Sequence, residues 1–355
     1  MKVGVVGGGI NGLATAWALL GAGHEVELFE RDRLMGATSS ASSKLLHGGL
    51  RYLEHGELRL VRESLRERAW WLRTVPELAR PLLLAVPLYR SASRPRWKLK
   101  AGLWLYDRLA GKAGIGAHRW RSTAALTALM PGLAEDGLRG GYTFYDGQMD
   151  DYRLGLWVAD RVRELGGRLH EHAPVRRVSE RGTLVLSDTE RAYDRVVNVA
   201  GPWAERLGTN SGIEDGIHLD PVRGSHILLD RPQEAGLLLE APQDGRPFFV
   251  LPYQGRTLVG TTEVRQSPDT PVVCSPEERD YLLAAYSHYF RDDAGREDVA
   301  ETFAGIRPLI GSGPDMNRVS REYRITRRGR LITVYGGKWT TARRLGREAA
   351  RIAAR

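Results

Sequence analysis

The sequence predicts an α/β fold in which a domain on a parallel sheet shares one chain with a discontinuous domain on an antiparallel sheet. Apolar strands next to helices occur near the start, the middle and the end of the chain, and segments of strand-like alternation lie between them. The 355 residues suffice for one large domain or two smaller ones. The predicted first domain comprises residues 1–80, 141–215 and 300–355, and the second comprises 81–140 and 216–299.

The N-terminal unit consists of a strand, a tight turn, a helix and a second strand. An apolar run, VGVV, leads into a glycine-rich turn, and a helical pattern begins at Leu13. The second strand covers 25–29 and ends at the acidic residue Glu30. This order is typical of a Rossmann-like unit.

Three glycines and one acid indicate what this unit binds. Gly7 allows the turn, Gly9 lets the backbone approach a pyrophosphate, and Gly12 lets the helix pack close to the strand. The helix N-terminus offers free N–H groups to phosphates. Glu30 is placed to accept hydrogen bonds from a ribose diol, which favours FAD or NAD over a 2′-phosphorylated nucleotide.

The rest of the chain supplies the other predicted elements. An amphipathic helix is predicted over 54–75 and a second helix over 153–165. Strands are predicted over 168–172, 175–179, 183–186 and 195–199, and an antiparallel sheet within 218–265. A helix over 277–291 and a strand, turn and helix within 329–355 complete the chain.

Composition limits the partners. The formal net charge of +9 favours anionic partners such as phosphorylated substrates or anionic lipid. An arginine-rich composition can also reflect the amino-acid usage of the whole genome rather than a property of this protein. Cys274 is the only cysteine, so an intramolecular disulfide is impossible. No cluster has metal-ligand spacing, so no metal is predicted. No recognition module accompanies the basic residues, so no nucleic-acid partner is predicted.

Five further segments carry unusual patterns of small, polar and basic residues. The first is rich in serine and glycine, and small hydroxyl residues of this kind let a backbone close over phosphates and a flat ring. In chain order the segments are GATSSASSKLLHGGLRYL, NVAGPW, PVRGSH, FAGIRPL and YGGKWTT.

Together these segments resemble the FAD-dependent glycerol-3-phosphate dehydrogenases of the aerobic, membrane-associated type, within the D-amino-acid-oxidase-like flavoproteins. The run TSSASSKLLHGGLRYLEHGELRLVRESL is highly specific to that family, and the resemblance covers nearly all of residues 1–350. It implies a Rossmann-like FAD-binding domain with a discontinuous substrate or cap domain. Many family members continue into a further helical domain, whereas this sequence ends at Arg355.

The resemblance also implies site residues. Those expected to hold FAD non-covalently are Gly7, Gly9, Ile10, Asn11, Gly12, Glu30, Arg31, Thr38, Ser39, Ser40, Ser42, Lys44, His47, Gly48, Gly49, Val175, Ala200, Gly201, Trp203, Gly305, Gly337, Lys338 and Thr340. Those expected around the substrate are Arg51, Tyr52, His226, Arg307, Arg321 and Lys338.

The implied reaction oxidises sn-glycerol 3-phosphate to dihydroxyacetone phosphate. Arginines suit the substrate's phosphate because their forks bind it bidentately. Lys338 is expected to stabilise the reduced flavin. His226 is the natural base at neutral pH, and Arg307 or Lys338 could instead polarise the hydroxyl group, so the predicted catalytic residues are His226, Arg307 and Lys338.

Electron transfer and location are the last expectations. The family passes electrons to membrane quinone, and its oxidase relatives use oxygen. Residues 90–112 interleave basic residues with tryptophan and leucine, which suits either an interfacial helix on anionic lipid or a cap-domain helix with aromatic core residues. We expect a cytoplasmic protein that is associated peripherally with the inner face of the cell membrane and that can form an oligomer. The alternatives are an oxidase, a flavoenzyme for a 2-hydroxyacid or an amine, a non-catalytic FAD protein at a membrane surface, or a nicotinamide dehydrogenase.

Overall fold

The computed structural model describes residues 1–91, 93–187, 189–292, 294–311 and 323–355. For His55, which lies within the first range, it describes the backbone but not the side chain. The predicted substrate residue Arg321 lies outside the described residues. The strands, in chain order β1 to β19, are Lys2–Val6, Glu25–Phe29, Leu45–Leu46, Ala79–Tyr89, Arg119–Arg121, Leu138–Met149, Arg168–His170, Arg177–Val178, Thr183–Val185, Glu190–Ala192, Arg195–Asn198, Leu219–Leu229, Gly236–Glu240, Pro247–Tyr253, Arg256–Gly260, Val264–Arg265, Val299–Ile310, Arg324–Arg328 and Leu331–Tyr335. The α-helices, in chain order α1 to α8, are Ile10–Gly21, Leu58–Thr74, Arg96–Ala110, Thr123–Leu129, Asp151–Glu164, Ala204–Thr209, Pro276–Ser287 and Ala342–Ala353.

The first sheet confirms the prediction that distant strands form one parallel sheet. Its order is β18-β19-β11-β1-β2-β7, and every neighbouring pair is parallel except β18 with β19. β1 therefore lies between a strand from the middle of the chain and the strand that follows it in sequence. The carboxyl ends of β1, β11 and β19 lie at the same edge, which is where parallel α/β sheets place their ligands.

Helices and a small sheet cover the two faces of the parallel sheet. α1, α5 and α8 pack on one face around an apolar core that includes Leu13, Val158 and Leu345. α1 and α8 approach closely because residue 346 is glycine, where a Cβ would lie 2.4 Å from the Ala14 carbonyl oxygen. The three-stranded sheet β10-β9-β8 covers the other face, with Leu184 in the apolar cluster between them.

The second sheet has ten strands and is antiparallel except where β13 pairs with β4. β12 and β17 pair along nearly their whole length, from Leu219 opposite Ile310 to Leu229 opposite Val299. The predicted domain limits remain a prediction, and three of them fall within strands of this sheet. Residue 81 lies inside β4, residue 141 inside β6 and residue 300 inside β17, and all three strands pair within the second sheet.

Several predicted elements differ in their bounds, and three long strands, β4, β6 and β17, were not predicted. α1 begins at Ile10 rather than Leu13, because the glycine turn ends at the Gly9 N-cap. The helix predicted over 54–75 is a 3-10 helix over Leu50–His55 followed by α2. β4 was missed because prolines interrupt its alternation, and β6 because its glycines do the same.

Candidate active site

A cavity of about 570 Å³ lies where the two sheets meet. Its walls come from the turn after β1, the loop over 36–47, the turn after β11, β12, β17 and the turn after β19. Most of the predicted site residues line it: Gly7, Gly9, Ile10, Asn11, Glu30, Arg31, Thr38, Ser39, Ser42, His47, Tyr52, Val175, Ala200, Gly201, Trp203, His226, Gly305, Arg307, Gly337, Lys338 and Thr340. Residues separated by up to 333 positions in sequence are thus brought together around one space.

The glycine turn at one end of the cavity has no room for side chains. Gly7 has a φ of +109°, and a Cβ there would lie 2.5 Å from the Val199 carbonyl oxygen. A Cβ on Gly12 would lie 1.9 Å from the Gly7 carbonyl oxygen, so Gly12 acts through packing and does not line the cavity. α1 begins at this turn with no acidic residue in its first turn and no side-chain cap at Gly9. Its first N–H groups are therefore suited to phosphate oxygens.

Glu30 is fixed at the cavity by backbone hydrogen bonds. Its two carboxylate oxygens accept from the N–H groups of Gly8, at 2.6 Å, and Asp32, at 3.0 Å. Each carboxylate oxygen has a second lone-pair direction, so the group can still accept hydrogen bonds from a diol. The guanidinium group of the neighbouring Arg31 lies 3.8 Å from the ring centre of Trp203, and both side chains line the cavity.

The start of the serine-rich loop is bonded to three other cavity segments. The Thr38 hydroxyl donates to the Ile306 carbonyl oxygen at 2.7 Å. The Ser39 hydroxyl oxygen accepts from the Ile10 N–H at 3.0 Å, and the Ser39 carbonyl accepts from the Trp339 indole at 3.0 Å. The loop therefore joins the N-terminus of α1 to β17 and to the turn after β19.

The middle of the loop is anchored to Asp151, which is fully buried in the first turn of α5. The N–H and hydroxyl groups of Ser42 donate to its carboxylate at 3.1 and 2.7 Å. The ammonium group of Lys44 donates to the same carboxylate at 2.7 Å and to the Ser40 carbonyl oxygen at 2.6 Å. Ser40 and Lys44 do not line the cavity, and the ammonium group of Lys44 is engaged in this buried ion pair.

Gly48 and Gly49 support the loop from behind and do not line the cavity. The Gly48 N–H donates to the carboxylate of Asp146 at 3.0 Å, and that carboxylate also pairs with the buried Arg68 guanidinium at 2.8 Å. A Cβ on Gly48 would lie 2.3 Å from the Tyr106 hydroxyl oxygen. Gly49 has a φ of +79°, as the turn into the following 3-10 helix requires.

His226 lies on β12 in the cavity wall and is 3% exposed. Its ring stacks on Phe303 with centroids 4.8 Å apart, and its Nε2 lies 2.8 Å from the Ser43 hydroxyl oxygen. Burial, and then the charges of Arg307 and Lys44, lower the pKa of His226 to about 3. The imidazole is therefore neutral at pH 7.

Two cationic side chains, Arg307 and Lys338, line the same cavity. The Arg307 guanidinium donates to the Thr262 carbonyl oxygen at 2.7 Å and to the Glu263 carboxylate at 3.2 Å. The Lys338 ammonium lies 3.7 Å from the ring centre of Tyr52, which is itself buried in the wall. Arg51 lies in the 3-10 helix before α2 and does not line the cavity.

The structure adds residues that the sequence analysis did not name. Ser43 lines the cavity between two predicted residues and differs from them only in where its hydroxyl points, which no sequence pattern shows. Asp151 could have been suspected from the Asp-Asp pair that starts α5, but its partners are more than 100 residues away. Glu263, which orients Arg307, follows β15 in the sequence segment TLVGTTE.

Neither a membrane-spanning helix nor a metal-binding cluster occurs in the described ranges. No helix within them is both long and apolar enough to cross a bilayer. Within the same ranges, no group of three or more histidine, cysteine, aspartate or glutamate side chains is arranged to hold a metal ion.

The known proteins that this chain resembles over nearly all of its length are oxidoreductases. Residues 2–352 match the family described as FAD dependent oxidoreductase. The chain is 38% identical to a glycerol-3-phosphate dehydrogenase of Pseudomonas aeruginosa, over 98% of this chain and 70% of that protein. It is 35% identical to a D-erythritol 1-phosphate dehydrogenase of Brucella abortus, over 96% of this chain and 71% of that protein.

A solved structure shares the fold. The glycerol-3-phosphate dehydrogenase of Bacillus halodurans, complexed with FAD, superposes with a TM-score of 0.80 at 24% identity, over all of this chain and 64% of that one. The chain thus spans about two thirds of the solved protein and slightly more of the curated relatives.

The site residues fit FAD. The turn is closed so tightly at Gly7 and Gly12 that a Cβ would meet backbone oxygens, the helix N-terminus beside it carries no acidic residue in its first turn, and Glu30 is held in the cavity where it can accept hydrogen bonds from a ribose. With the match over nearly all of its length, the chain belongs to the family of FAD-dependent oxidoreductases.

Proposed function

We propose that this protein oxidises sn-glycerol 3-phosphate to dihydroxyacetone phosphate with FAD as the electron acceptor. The observation that carries the proposal is that one cavity joins the glycine turn to a pocket containing Arg307, Lys338 and the neutral His226. A phosphorylated secondary alcohol needs fixed positive charge for its phosphate and a proton acceptor for its hydroxyl group. The 38% identical relative named for this activity supports the same reaction.

Each residue has a task in this reaction. FAD supplies the acceptor for the hydride that leaves C2. Arg307 holds the phosphate with its guanidinium group, and its hydrogen bonds to Thr262 and Glu263 fix the plane of that group. Lys338 provides positive charge that stabilises the negative charge developed during hydride transfer.

His226 takes the proton of the C2 hydroxyl. Only a neutral imidazole can accept a proton, and the low pKa keeps His226 neutral throughout the physiological range. A dianionic phosphate bound beside Arg307 offsets the positive charge that lowers this pKa, so substrate binding makes His226 a stronger base.

Anaerobic titration with glycerol 3-phosphate tests the function. We expect the flavin absorption bands to bleach at stoichiometric substrate, and R307A to require substrate concentrations at least tenfold higher because a phosphate contact is lost. An FAD-loaded protein that no polyol phosphate bleaches would contradict the proposal.

A longer polyol phosphate is the second candidate substrate. It is favoured by the 35% identical relative named for D-erythritol 1-phosphate, which carries a phosphate on the same kind of secondary alcohol chain. The same titration with D-erythritol 1-phosphate separates the two, because the true substrate reduces the flavin with the higher second-order rate constant.

We further propose that the protein passes electrons to a membrane quinone while bound to the cytoplasmic surface of an anionic membrane. On α3, Leu99, Leu103 and Tyr106 are buried, whereas Trp97 is 72% and Trp104 54% exposed. α3 therefore contributes to the core through one face and presents tryptophans to the outside on the other, the arrangement of an interfacial helix.

A basic groove next to α3 supports membrane binding by the same side of the protein. Its charged lining residues are Arg62, Arg66, Arg73, Arg108 and Lys112, and within the described part of the chain none of them pairs with a carboxylate. Near an anionic surface each such charge contributes about 1 kcal/mol. The groove and the exposed tryptophans lie on neighbouring helices, so both can reach one membrane surface.

Vesicle sedimentation tests the membrane proposal. We expect the protein to bind vesicles of phosphatidylglycerol and phosphatidylcholine, and not vesicles of phosphatidylcholine alone. The double variant W97S/W104S should weaken binding at least tenfold, whereas V273S, which removes an equally exposed apolar side chain elsewhere, should not. Equal binding by all three proteins would reject this surface.

A further inference from the structure

The guanidinium group that holds the phosphate in the proposed reaction is itself held by one short segment of the chain. Arg307 donates to the Thr262 carbonyl oxygen at 2.7 Å and to the Glu263 carboxylate at 3.2 Å. These two acceptors belong to consecutive residues in the connection between β15 and β16. The direction in which Arg307 points therefore depends on how firmly this connection is fixed.

Thr262 is fixed by three hydrogen bonds of its own. Its N–H donates to the Ser225 carbonyl oxygen at 3.3 Å, and its hydroxyl oxygen accepts from the Ser225 N–H at 2.8 Å. The hydroxyl group in turn donates to the Glu278 carboxylate at 2.6 Å. Thr262 is 3% exposed and is thus tied both to β12 and to α7, although its hydroxyl group does not line the cavity.

Glu278 is a buried carboxylate in the first turn of α7. One of its oxygens accepts from Thr262, and the other accepts from the Ser275 N–H at 3.1 Å and pairs with the Arg223 guanidinium at 2.7 Å. Ser275 and Glu278 form a capping box, and the N-terminus of a helix favours a negative charge. Glu278 therefore joins the start of α7, β12 and the connection that holds Arg307.

The Arg307 guanidinium also lies against the backbone of β12. A Cβ on Gly224 would lie 2.6 Å from Nη2 of Arg307, the nitrogen that donates to Thr262, and 3.1 Å from Cζ. Gly224 and Arg307 both line the cavity. The guanidinium group thus has little room to shift on this side, so the Thr262 carbonyl oxygen decides how it is oriented.

We propose that Glu278 is a positioning residue for phosphate recognition: through Thr262 it sets the direction in which Arg307 presents its guanidinium group to the substrate. This inference rests on the proposed function, because it takes the phosphate to bind at Arg307. Glu278 does not line the cavity, so it acts only through its neighbours. A bidentate contact between arginine and phosphate depends strongly on direction, and a small rotation of the guanidinium group weakens it.

Two variants interrupt this path of contacts at different points. E278Q keeps the shape of the side chain, but a single amide oxygen cannot serve all three donors that reach the carboxylate. T262V removes the hydroxyl group that joins Thr262 to Glu278, whereas T262S retains it. E277Q makes the same exchange as E278Q at the exposed neighbouring position in the first turn of α7, and it is the matched control.

Binding of propyl phosphate to the FAD-loaded protein measures the phosphate contact without turnover. This probe has three carbons and no hydroxyl group that could be oxidised, and titration calorimetry gives its Kd. We expect Kd to rise roughly tenfold in E278Q and T262V, and to keep the wild-type value in T262S and E277Q. With glycerol 3-phosphate, E278Q and T262V should raise KM and leave kcat nearly unchanged. FAD content and Tm report folding, and if E278Q does not fold, T262V and T262S decide the outcome.

The double variant E278Q/R307A separates positioning from a general effect on stability. If Glu278 acts through Arg307, adding E278Q to R307A should not weaken propyl phosphate binding further. A T262V protein that binds propyl phosphate as tightly as wild type, or an E278Q effect that is equally large with and without Arg307, would overturn the proposal. A wild-type protein that binds propyl phosphate through Arg307 but whose flavin no polyol phosphate reduces would instead contradict the proposed function.

Discussion

At the scale of single residues, Gly12 and Gly21 stand at opposite ends of α1 and differ in what surrounds them. A Cβ on Gly12 would meet the Gly7 carbonyl oxygen at 1.9 Å, whereas nothing lies within 4 Å of a Cβ on Gly21. The obstacle at Gly12 is backbone, which cannot move aside as the end of a flexible side chain can. The requirement for glycine at position 12 is therefore steric and local.

We expect G12A to lower the free energy of unfolding by about 3 kcal/mol, the upper part of the range for overpacking, and to prevent FAD retention because the turn must open. G21A should keep both, and its stability should equal or exceed wild type because alanine favours helix. Urea unfolding and the flavin absorbance per protein chain measure the two effects. Normal FAD content in G12A would contradict this explanation of the turn.

The residue scale also shows what a pattern can and cannot predict. The glycines were predictable because each is required by contacts within a few residues or by the turn itself. Lys44 was expected at the cofactor from its place in the loop, and it is bonded to Asp151 instead. No local signal marks that partner, because 107 positions separate the two residues and only the completed fold brings them together.

At the scale of elements, a buried carboxylate joins the strands at the edge of the parallel sheet. Glu27 on β2 is 3% exposed and bonds to Lys2 on β1, Arg168 on β7 and Arg191 on β10. Burial by itself raises the pKa of Glu27, but hydrogen bonds and charges from Arg168 and Lys2 dominate and lower it to about 2. The alternation of apolar residues predicted these strands, yet it gave no indication of the charge that ties them together.

This carboxylate makes stability depend on acid. Its pKa is lower in the folded state, so the unfolded chain binds the proton first. The stabilisation is present in full above about pH 4.5 and is lost as the pH falls towards 2. We expect E27Q to be less stable than wild type at pH 7 by about 1–2 kcal/mol, since the three cations are half exposed and screened.

Urea unfolding at pH 7, 5 and 3.5 measures the expected trend. The difference between wild type and E27Q should remain constant from pH 7 to 5 and shrink at pH 3.5. E25Q, the same exchange at the exposed start of β2, should unfold like wild type at pH 7. A difference that is independent of pH would show that Glu27 acts through packing rather than through its charge.

At the scale of the whole molecule, the cavity belongs to neither sheet alone. The glycine turn comes from the parallel sheet, His226 and Arg307 come from the ten-stranded sheet, and the serine-rich loop between 36 and 47 bonds to the start of α1 and to β17. The parallel sheet and the dinucleotide unit could be predicted because their sequence signals lie within short segments. These signals are apolar strands next to helices, which recur along the chain, and the glycine-rich turn. The pairing of β12 with β17 across some 80 residues could not, because strand alternation does not name a partner.

A cofactor bound at such a junction stabilises the folded chain as a unit. A ligand that binds only the folded state adds RT ln(1 + [L]/Kd), about 2.7 kcal/mol at a hundredfold excess over Kd. We therefore expect Tm to rise continuously with added FAD and the two sheets to unfold together in its presence. Five of the nine tryptophans, Trp71 among them, belong to the core on the parallel-sheet side, so tryptophan fluorescence follows mainly that side, and the apoprotein provides the reference.

Substitutions on opposite sides of the cavity make this prediction specific. If FAD couples the two sheets, T38A, which removes the bond from the loop to β17, should lower the Tm of the apoprotein slightly and should also reduce the FAD-dependent rise in Tm. S122A removes a helix cap in the second sheet's periphery and should lower both values equally, because that cap does not touch the cavity. An FAD-dependent rise that is identical in wild type and T38A would mean that the cofactor stabilises the parallel-sheet side alone.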